Sequence, residues 1–213
     1  MAIISESRSV QDFDEVVLQI YGDIQLIQGD QENLMIEADE ELLPKIKTEV
    51  RNRRLVIKPK SWLDWLVPPN ASIRYRINMR EVRGLAISGA GTLSARKVQT
   101  DQLRLEVTGS AEMIFDHLEA QALRLNVSGA GRVEIGGGQV QRQEVAISGT
   151  GNLRALRVDT QEADLRISGS GQVQVNVHET MKVAITGFGS VRYAGDPKVS
   201  SQITGAGRIE KIG

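Results

Sequence analysis

The feature that most constrains this chain is a tetrapeptide, Ser/Thr-Gly-x-Gly/Ala, that recurs at a nearly fixed spacing. Its seven copies begin at Ser88, Thr108, Ser128, Ser148, Ser168, Thr186 and Thr204. The interval is constant over the first five copies and slightly shorter over the last two. Repetition at a period of about 20 residues indicates stacked units, each of which buries its apolar side chains against its neighbours.

The residues around each copy alternate between apolar and polar side chains. The position before each Ser/Thr is isoleucine or valine in all seven copies, and the position five residues after it is leucine, methionine, valine or isoleucine. A period of two is typical of β-strands with one buried side and one solvent-facing side. Each repeat therefore predicts two short strands joined by a glycine turn.

Two short strands cannot bury their apolar side alone, so the repeats are expected to stack. The sequence predicts an all-β fold, a parallel β-helix of seven coils of about 18–20 residues. An antiparallel sandwich or a propeller is the competing all-β arrangement, but a propeller blade needs about 40 residues. A left-handed helix needs an aliphatic residue at every sixth position, which Gln99 interrupts after Ile87 and Leu93. A right-handed helix is favoured, in keeping with the general hand of parallel crossovers.

The second residue of the motif is glycine in every copy, which indicates a corner where the backbone needs a positive φ or lies close to a neighbour. Gly195 lies outside the motif, and we expect it to belong to an ordinary loop that tolerates a side chain. The Ser/Thr hydroxyls of the corner are expected to form a structural column. The predicted structural turn glycines are Gly89, Gly109, Gly129, Gly149, Gly169, Gly187 and Gly205.

The N-terminal part of the chain, residues 1–82, contains only two of the 21 glycines, but four of the five prolines and both tryptophans. We interpret residues 1–82 as β-rich early coils or a cap, and residues 83–213 as the seven-repeat helix of the same continuous domain. Strands are predicted at 16–20, 24–27, 34–38, 55–57 and 73–77, with a short helical candidate at 40–46. A cap is expected because the bare end of a solenoid exposes unpaired amides. At the far end, the charges of Arg208, Glu210 and Lys211 are expected to protect the last coil.

Charge and composition exclude several classes of function. The 26 basic and 27 acidic residues give a net charge of −1, which disfavours nucleic acid as a partner because phosphate binding needs a basic excess. No apolar run reaches the roughly 18 residues that span a membrane, and the start of the chain does not resemble a signal peptide. The chain has no cysteine, and its two histidines, His117 and His178, lie in different repeats. We expect no metal, no cofactor and no catalytic residues.

One segment carries unusually large apolar side chains in a proline-ended loop. Trp62, Leu63, Trp65, Leu66 and Val67 form a candidate interface, because tryptophan is enriched at the centres of protein–protein contacts. The alternative is that the segment folds over the open end of the helix as a plug, since so much apolar surface needs a cover. The first interpretation predicts a homo-oligomer.

Three stretches of the sequence together resemble the auto-transporter adhesin head GIN domain family, also called domain of unknown function 2807. They are residues 8–30 (RSVQDFDEVVLQIYGDIQLIQGD), residues 34–58, and the repeated Ile-Ser-Gly-Ala-Gly that starts at Ile87. The resemblance runs from about Arg8 to Gly213. It implies a right-handed, single-stranded β-helix found in bacterial proteins exported to the periplasm or cell surface, and it provides no catalytic residues.

These observations favour a non-enzymatic, adhesin-like binding module of the bacterial cell surface or envelope that self-associates and contacts a protein or a glycan. A self-assembling structural scaffold is the alternative. Because this chain shows no signal peptide, the cytoplasm is the alternative location. A carbohydrate-active enzyme is the least favoured hypothesis, since no insertion between the motifs is long enough to wall a cleft.

Overall fold

The alternating apolar residues of the repeats point into one shared interior, and the chain winds around them as a β-solenoid. The computed structural model describes residues 3–61 and 72–212. Coils of about 20 residues confirm the predicted all-β solenoid. The solenoid has about six turns, fewer than the seven coils that the motifs predicted.

Sixteen strands and one short 3₁₀ helix make up the described part of the chain. The 3₁₀ helix is Leu43–Lys45. The longest strands bend around the corners of the solenoid and so contribute to more than one of its sides. In chain order the strands are β1 (Ile3–Arg8), β2 (Glu15–Leu18), β3 (Asp23–Gln28), β4 (Asn33–Asp39), β5 (Ile46–Arg51), β6 (Arg54–Pro59), β7 (Arg74–Met79), β8 (Gly84–Ile87), β9 (Ala90–Gly129), β10 (Arg132–Ile135), β11 (Gly138–Gly149), β12 (Asn152–Gly169), β13 (Gln172–Gly187), β14 (Ser190–Ala194), β15 (Lys198–Gly205) and β16 (Arg208–Lys211).

Equivalent positions of successive coils lie directly above one another in parallel register. On the side before the glycine corner, the stacked residues are Val127, Ile147, Ile167, Ile185 and Ile203. On the side after it, they are Met113, Val133, Leu153, Val173, Val191 and Ile209. All but the last coil's members are buried, so the two columns form the aliphatic core that the period-two pattern predicts.

The first half of the chain joins the same stack, but out of sequence order. Strand β2 lies between β6 and β8, where Val16 is paired with Leu55 on one side and Leu85 on the other. Strand β3 lies in the same way between β7 and the start of β9. One hydrophobic cluster therefore extends from Val10 to Val191 across the boundary at residue 82.

The N-terminal end of the solenoid is covered by antiparallel strands. Strand β5 pairs antiparallel with β6, β4 with β7, and β1 with β4. The five predicted N-terminal strands are present with shifted ends, whereas the helical candidate at 40–46 is wrong for most of its length. Only Leu43–Lys45 is helical, and Ile46 already begins β5 because the hairpin partner β6 recruits it as a strand.

One polar pair is buried inside the aliphatic core. Gln143 and Thr160 are both fully buried, and the Gln143 Nε2 donates a hydrogen bond of 2.7 Å to the Thr160 Oγ1. The Gln143 Oε1 has no hydrogen-bond partner in the described structure. Neighbouring coils place Leu123 and Val140 at the equivalent positions. The stack thus already accommodates leucine and valine in these two environments.

The buried pair leads to a double-variant prediction. Thr160→Val should cost about 1–3 kcal/mol because it leaves the Gln143 carboxamide buried without its hydrogen bond. Adding Gln143→Leu should recover most of that loss, since both polar groups are then replaced by the residues of adjacent coils. Urea denaturation of the two single variants and the double variant measures this coupling. Additive losses would show that the hydrogen bond does not couple the two sites.

Strand β5 is the outermost strand on one side of the capped end and carries a cluster of charges. The Glu49 carboxylate lies 2.6 Å from Lys58 Nζ, 3.1 Å from Lys47 Nζ and 3.2 Å from an Arg51 guanidinium nitrogen. The hydrogen bond from Lys58, followed by that from Lys47, lowers the pKa of Glu49 to about 2. Charges along an edge strand also oppose pairing with another sheet.

This cluster predicts an acid-dependent loss of stability. The pKa of Glu49 is lower in the folded chain than its ordinary value of 4.5, so the contribution of Glu49 is complete above that value and is lost as the pH falls toward 2. Glu49→Gln should therefore show a smaller drop in melting temperature than the parent between about pH 6 and about pH 2.5. Glu41→Gln is the control. Glu41 is exposed and does not belong to the Glu49 cluster, so this variant should retain the parent's pH profile.

Candidate functional site

A polar groove is lined by side chains from the N-terminal part of the chain and from the first three repeats. Its volume is about 640 Å³. It forms because the chain leaves the stack after β3, so the first coil of the repeats has no complete coil above it on this side. The groove is lined by Gln28, Glu81, Arg83, Gln99, Thr100, Asp101, Gln102, Glu119, Ala120, Gln121, Gln139 and Gln141.

The side chain of Gln28 closes part of the exposed strand edge at the groove. Its Oε1 accepts a hydrogen bond of 2.8 Å from the Gln99 backbone N–H, and its Nε2 donates to the carbonyl oxygens of Gln99 (2.9 Å) and Arg80 (3.1 Å). A side-chain amide thus makes the two hydrogen bonds that a neighbouring strand would otherwise make. The rest of the groove remains open to solvent.

Two carboxylates that line the groove lie beside basic side chains. Glu81 lies 3.1 Å from Arg83 and 3.6 Å from Arg53. Glu119 lies 3.0 Å from His117 Nε2 and 3.4 Å from Lys97 Nζ. The hydrogen bond with His117, and then that with Lys97, lowers the pKa of Glu119.

The lining has the chemistry of a hydrogen-bonding surface. Six of its twelve residues are glutamines, whose carboxamides offer both a donor and an acceptor and do not titrate. Gln139 stacks on Glu119 in register, one coil apart, so polar groups recur along the groove at about the 4.8 Å strand spacing. Gln99 and Gln139, like Gln121 and Gln141, are separated by whole multiples of the repeat period. This spacing is the sequence signal that could have revealed the groove.

The two histidines lie within hydrogen-bonding distance of two different carboxylates. His117 contacts Glu119, and His178 Nε2 lies 3.1 Å from Asp159 Oδ1. Within residues 3–61 and 72–212, no three His, Asp or Glu side chains are grouped so that they could hold a metal ion. Over the same residues, no helix has the length and apolar character needed to span a membrane.

Exposed ladders of opposite charge also run across the coils. Arg124 pairs with Glu144 at 2.8 Å, and Arg132 with Glu112 at 3.5 Å, each from one coil to the next. Exposed pairs of this kind contribute little to stability, about 0–1 kcal/mol each. Their role is therefore to favour the correct register and keep the surface polar.

The turn glycines form a column of close backbone contacts at one corner. From Gly109 to Gly205 their φ angles lie between 113° and 135°. Gly89 differs, because it stacks on Ile20 and Tyr21 rather than on another turn glycine, and the positive φ of its corner falls on Gly91 instead. Beside this column, the Ser88 hydroxyl donates a 3.4 Å hydrogen bond to the Leu18 carbonyl oxygen.

The expectation for Gly195 is wrong. Gly195 has a φ of 87°, and a Cβ atom at this position would overlap the Val177 carbonyl oxygen of the preceding coil. The loop is therefore as restrictive as the repeated corner, although it lies outside the motif. It lies between β14 and β15.

The candidate interface formed by Trp62, Leu63, Trp65, Leu66 and Val67 lies outside the described residues. The strands on either side of it, β6 and β7, belong to the coil next to the antiparallel cap. The interface and the plug therefore both remain predictions from the sequence.

Comparison with solved structures gives several matches over nearly the whole chain. A "putative adhesin" from Bacteroides fragilis has a TM-score of 0.90 and 22% identity, with 99% of this chain and 97% of that chain covered. A "putative lipid binding protein" from Parabacteroides distasonis has a TM-score of 0.80 and 20% identity, with the same coverage. A second "putative adhesin", also from Parabacteroides distasonis, has a TM-score of 0.76 and 22% identity, again with 99% and 97% covered. At these identities the likeness shows a shared fold.

No curated protein matches the chain. The family comparison, in contrast, matches residues 12–197 to the family described as "Putative auto-transporter adhesin, head GIN domain". The match covers most of the sequence and includes six of the seven glycine motifs together with the N-terminal strands that enter the same stack. The chain therefore belongs to the auto-transporter adhesin head GIN domain family, as its repeats and N-terminal segment predicted.

Proposed function

We propose that this protein is a non-enzymatic binding module of the bacterial cell surface or envelope, with the glutamine-lined groove as its ligand site. The observation that carries the proposal is the lining itself, in which amide side chains outnumber every other group. Amides hold a ligand by hydrogen bonds but provide neither a nucleophile nor a general base at neutral pH. Membership of an adhesin family supports the same conclusion.

The groove favours a neutral oligosaccharide as the ligand. Sugar hydroxyls donate and accept hydrogen bonds at once, which is the property that carboxamides match. Three carboxylates and one guanidinium line the groove, and this excess of negative charge disfavours anionic polymers. Because the coils are stacked on a rigid core, the hydrogen-bonding groups are positioned before the ligand arrives.

Glycan-array binding tests this site. We expect the parent to bind a subset of neutral oligosaccharides, and Gln121→Ala combined with Gln141→Ala to weaken that binding at least about tenfold, through two or more lost hydrogen bonds of about 1 kcal/mol each. Gln172→Ala is the matched control, since Gln172 is an exposed glutamine outside the groove. Equal binding by all variants would place the ligand elsewhere, and binding only to a protein partner would overturn the glycan assignment.

The remaining parts of the proposal need their own measurements. Mass spectrometry of a bound oligosaccharide after long incubation should find it intact, and cleavage products would overturn the non-enzymatic role. Antibody labelling of intact cells that express the native reading frame should detect the protein at the surface.

We further propose self-association through Trp62–Val67. The Trp62→Ser, Trp65→Ser double variant should remain folded but form a smaller assembly than the parent in sedimentation analysis.

A further inference from the structure

The C-terminal end of the solenoid differs from the N-terminal end because the described structure leaves it bare. Strand β15 pairs only with β13, and β16 only with β14, so one edge of each strand has no partner in the described part of the chain. Val199 and Ile203 are 41% and 42% exposed, whereas Ile185, one coil earlier at the position of Ile203, is 1% exposed. The core thus ends on an open apolar layer.

The charges expected to protect this end are unevenly placed. They lie on β16, where Arg208, Glu210 and Lys211 are found, whereas β15 has no charged residue after Lys198. The opposite end is closed, since Leu42, Leu43 and Ile46 are buried under the antiparallel strands. An unprotected edge of this kind is a template for another strand.

We infer that the bare end binds the same end of a second copy of this chain, giving a closed tail-to-tail dimer. The edge consists of two strands that meet at a glycine corner, so a partner must provide two strands at the same angle. The last coil of another copy does so. A two-fold axis through the corner at Ala206 places β15 of one copy antiparallel to β16 of the other, and the reverse.

The backbone fixes which residues meet in this arrangement. The N–H groups of Ala206, Arg208 and Ile212 donate to the preceding coil, so those of Gly207, Ile209 and Lys211 face the open end. By the same alternation, the backbone N–H groups of β15 that face the open end are those of Val199, Ser201 and Ile203. With the axis at Ala206, Ile203 faces Ile209 of the second copy.

The side chains agree with this register. Ile203 and Ile209 are the last members of the two inward-pointing columns of the solenoid. Their pairing therefore continues the aliphatic core from one copy into the next. In the same register Gln202 faces Glu210 of the second copy and Thr204 faces Arg208, so no like charges are opposed.

An exposed aromatic side chain lies at the same corner. Phe188 is 74% exposed, the highest value among the large hydrophobic residues of the described structure. It occupies the corner position one coil above Ala206. The two-fold axis therefore brings both copies of Phe188 beside the junction, where the small Ala206 leaves room for them.

Sedimentation analysis of the full chain tests the dimer. The Trp62→Ser, Trp65→Ser variant, which lacks the other proposed contact, should be dimeric at high micromolar concentration. Adding Ile203→Lys to it should weaken dimerisation at least about tenfold because two ammonium groups would enter an apolar seam. Phe188→Ser should weaken it by a smaller factor. Ile4→Lys is the matched control, because Ile4 is 41% exposed at the opposite end, and it should leave the dimer intact.

Cysteine cross-linking tests the register even if Ile203→Lys disturbs the last coil. The natural chain has no cysteine, so a mixture of Ile203→Cys and Ile209→Cys chains should form an intermolecular disulfide under mild oxidation, since directly opposed residues have Cα atoms about 5.5 Å apart. Each variant alone should not form it. A mixture of Ser201→Cys and Ile209→Cys chains is out of register and should remain reduced.

Several outcomes would overturn the inference. These are a monomeric parent, a monomeric Trp62→Ser, Trp65→Ser variant, or a dimer of that variant that survives Ile203→Lys and gives no Ile203–Ile209 cross-link. A dimer dissociated only by the Trp62→Ser, Trp65→Ser variant would instead support self-association through Trp62–Val67. The inference does not depend on the ligand groove, so glycan binding that is retained by the monomeric variant leaves the proposed function intact.

Discussion

Ile147→Asp is expected to unfold the solenoid. Ile147 is 2% exposed and is stacked in register between Val127 and Ile167 of the adjacent coils. Aspartate at this position loses the apolar contacts of isoleucine and buries a carboxylate that has no partner. Together these effects should exceed about 4 kcal/mol, a large part of the stability of an ordinary domain. Circular dichroism should show loss of the cooperative melting transition.

Ala146→Asp is the control for that experiment. Ala146 is the adjacent residue on the outward side of the same strand, and its register neighbours are Asn126 and Arg166. A carboxylate there remains hydrated and can pair with Arg166, so the melting temperature should change by only a few degrees. If Ile147→Asp melted within a degree or two of the parent, the stacked core would be disproved.

Gly149→Val is expected to have the next largest effect. Gly149 has a φ of 125°, which L-residues rarely adopt, and a Cβ atom would lie 2.6 Å from the Gly129 carbonyl oxygen. That oxygen belongs to the backbone of the preceding coil, so it cannot move away without separating the coils. The β-branched side chain should cost more than about 3 kcal/mol, measured as a lower denaturant midpoint.

Gly29→Val is the matched control. Gly29 is exposed, and its φ lies outside the positive range that L-residues rarely adopt. A Cβ atom at Gly29 would have no neighbour within 4 Å. Its loss of stability should remain below about 1 kcal/mol. Comparable losses for Gly29→Val and Gly149→Val would refute the idea that close stacking at the corner requires glycine.

The repeat region was predictable because its information is local and periodic. Alternation of apolar and polar residues determines which side chains point inward, and a constant period places equivalent residues above one another. The position of Ile147 between Val127 and Ile167 follows from these two regularities alone. The shared Ile-Ser-Gly-Ala-Gly pattern likewise led to the family that the comparison identified.

The candidate groove could be foreseen only in part. Glutamines at whole multiples of the repeat period were visible in the sequence, but the opening beside them depends on where the chain leaves the stack after β3. The pairing of the Gln28 carboxamide with the Gln99 backbone joins residues that are 71 positions apart. Such contacts follow from long-range packing and have no periodic signal.

The sequence by itself determined the all-β class, the coil length, the inward columns and the glycine corner, because each depends on a short pattern that every coil repeats. Tertiary structure decided the rest. It inserted β2 and β3 between strands that come later in the chain, placed Ile46, the last residue of the helical candidate, at the start of cap strand β5, and made Gly195 as restrictive as the motif glycines. It also left Ile203 exposed while its equivalent Ile185 is buried. The physical reason is that a side chain's environment in a solenoid depends on the coil above and the coil below, and at the ends of the stack those neighbours are not encoded in the repeat.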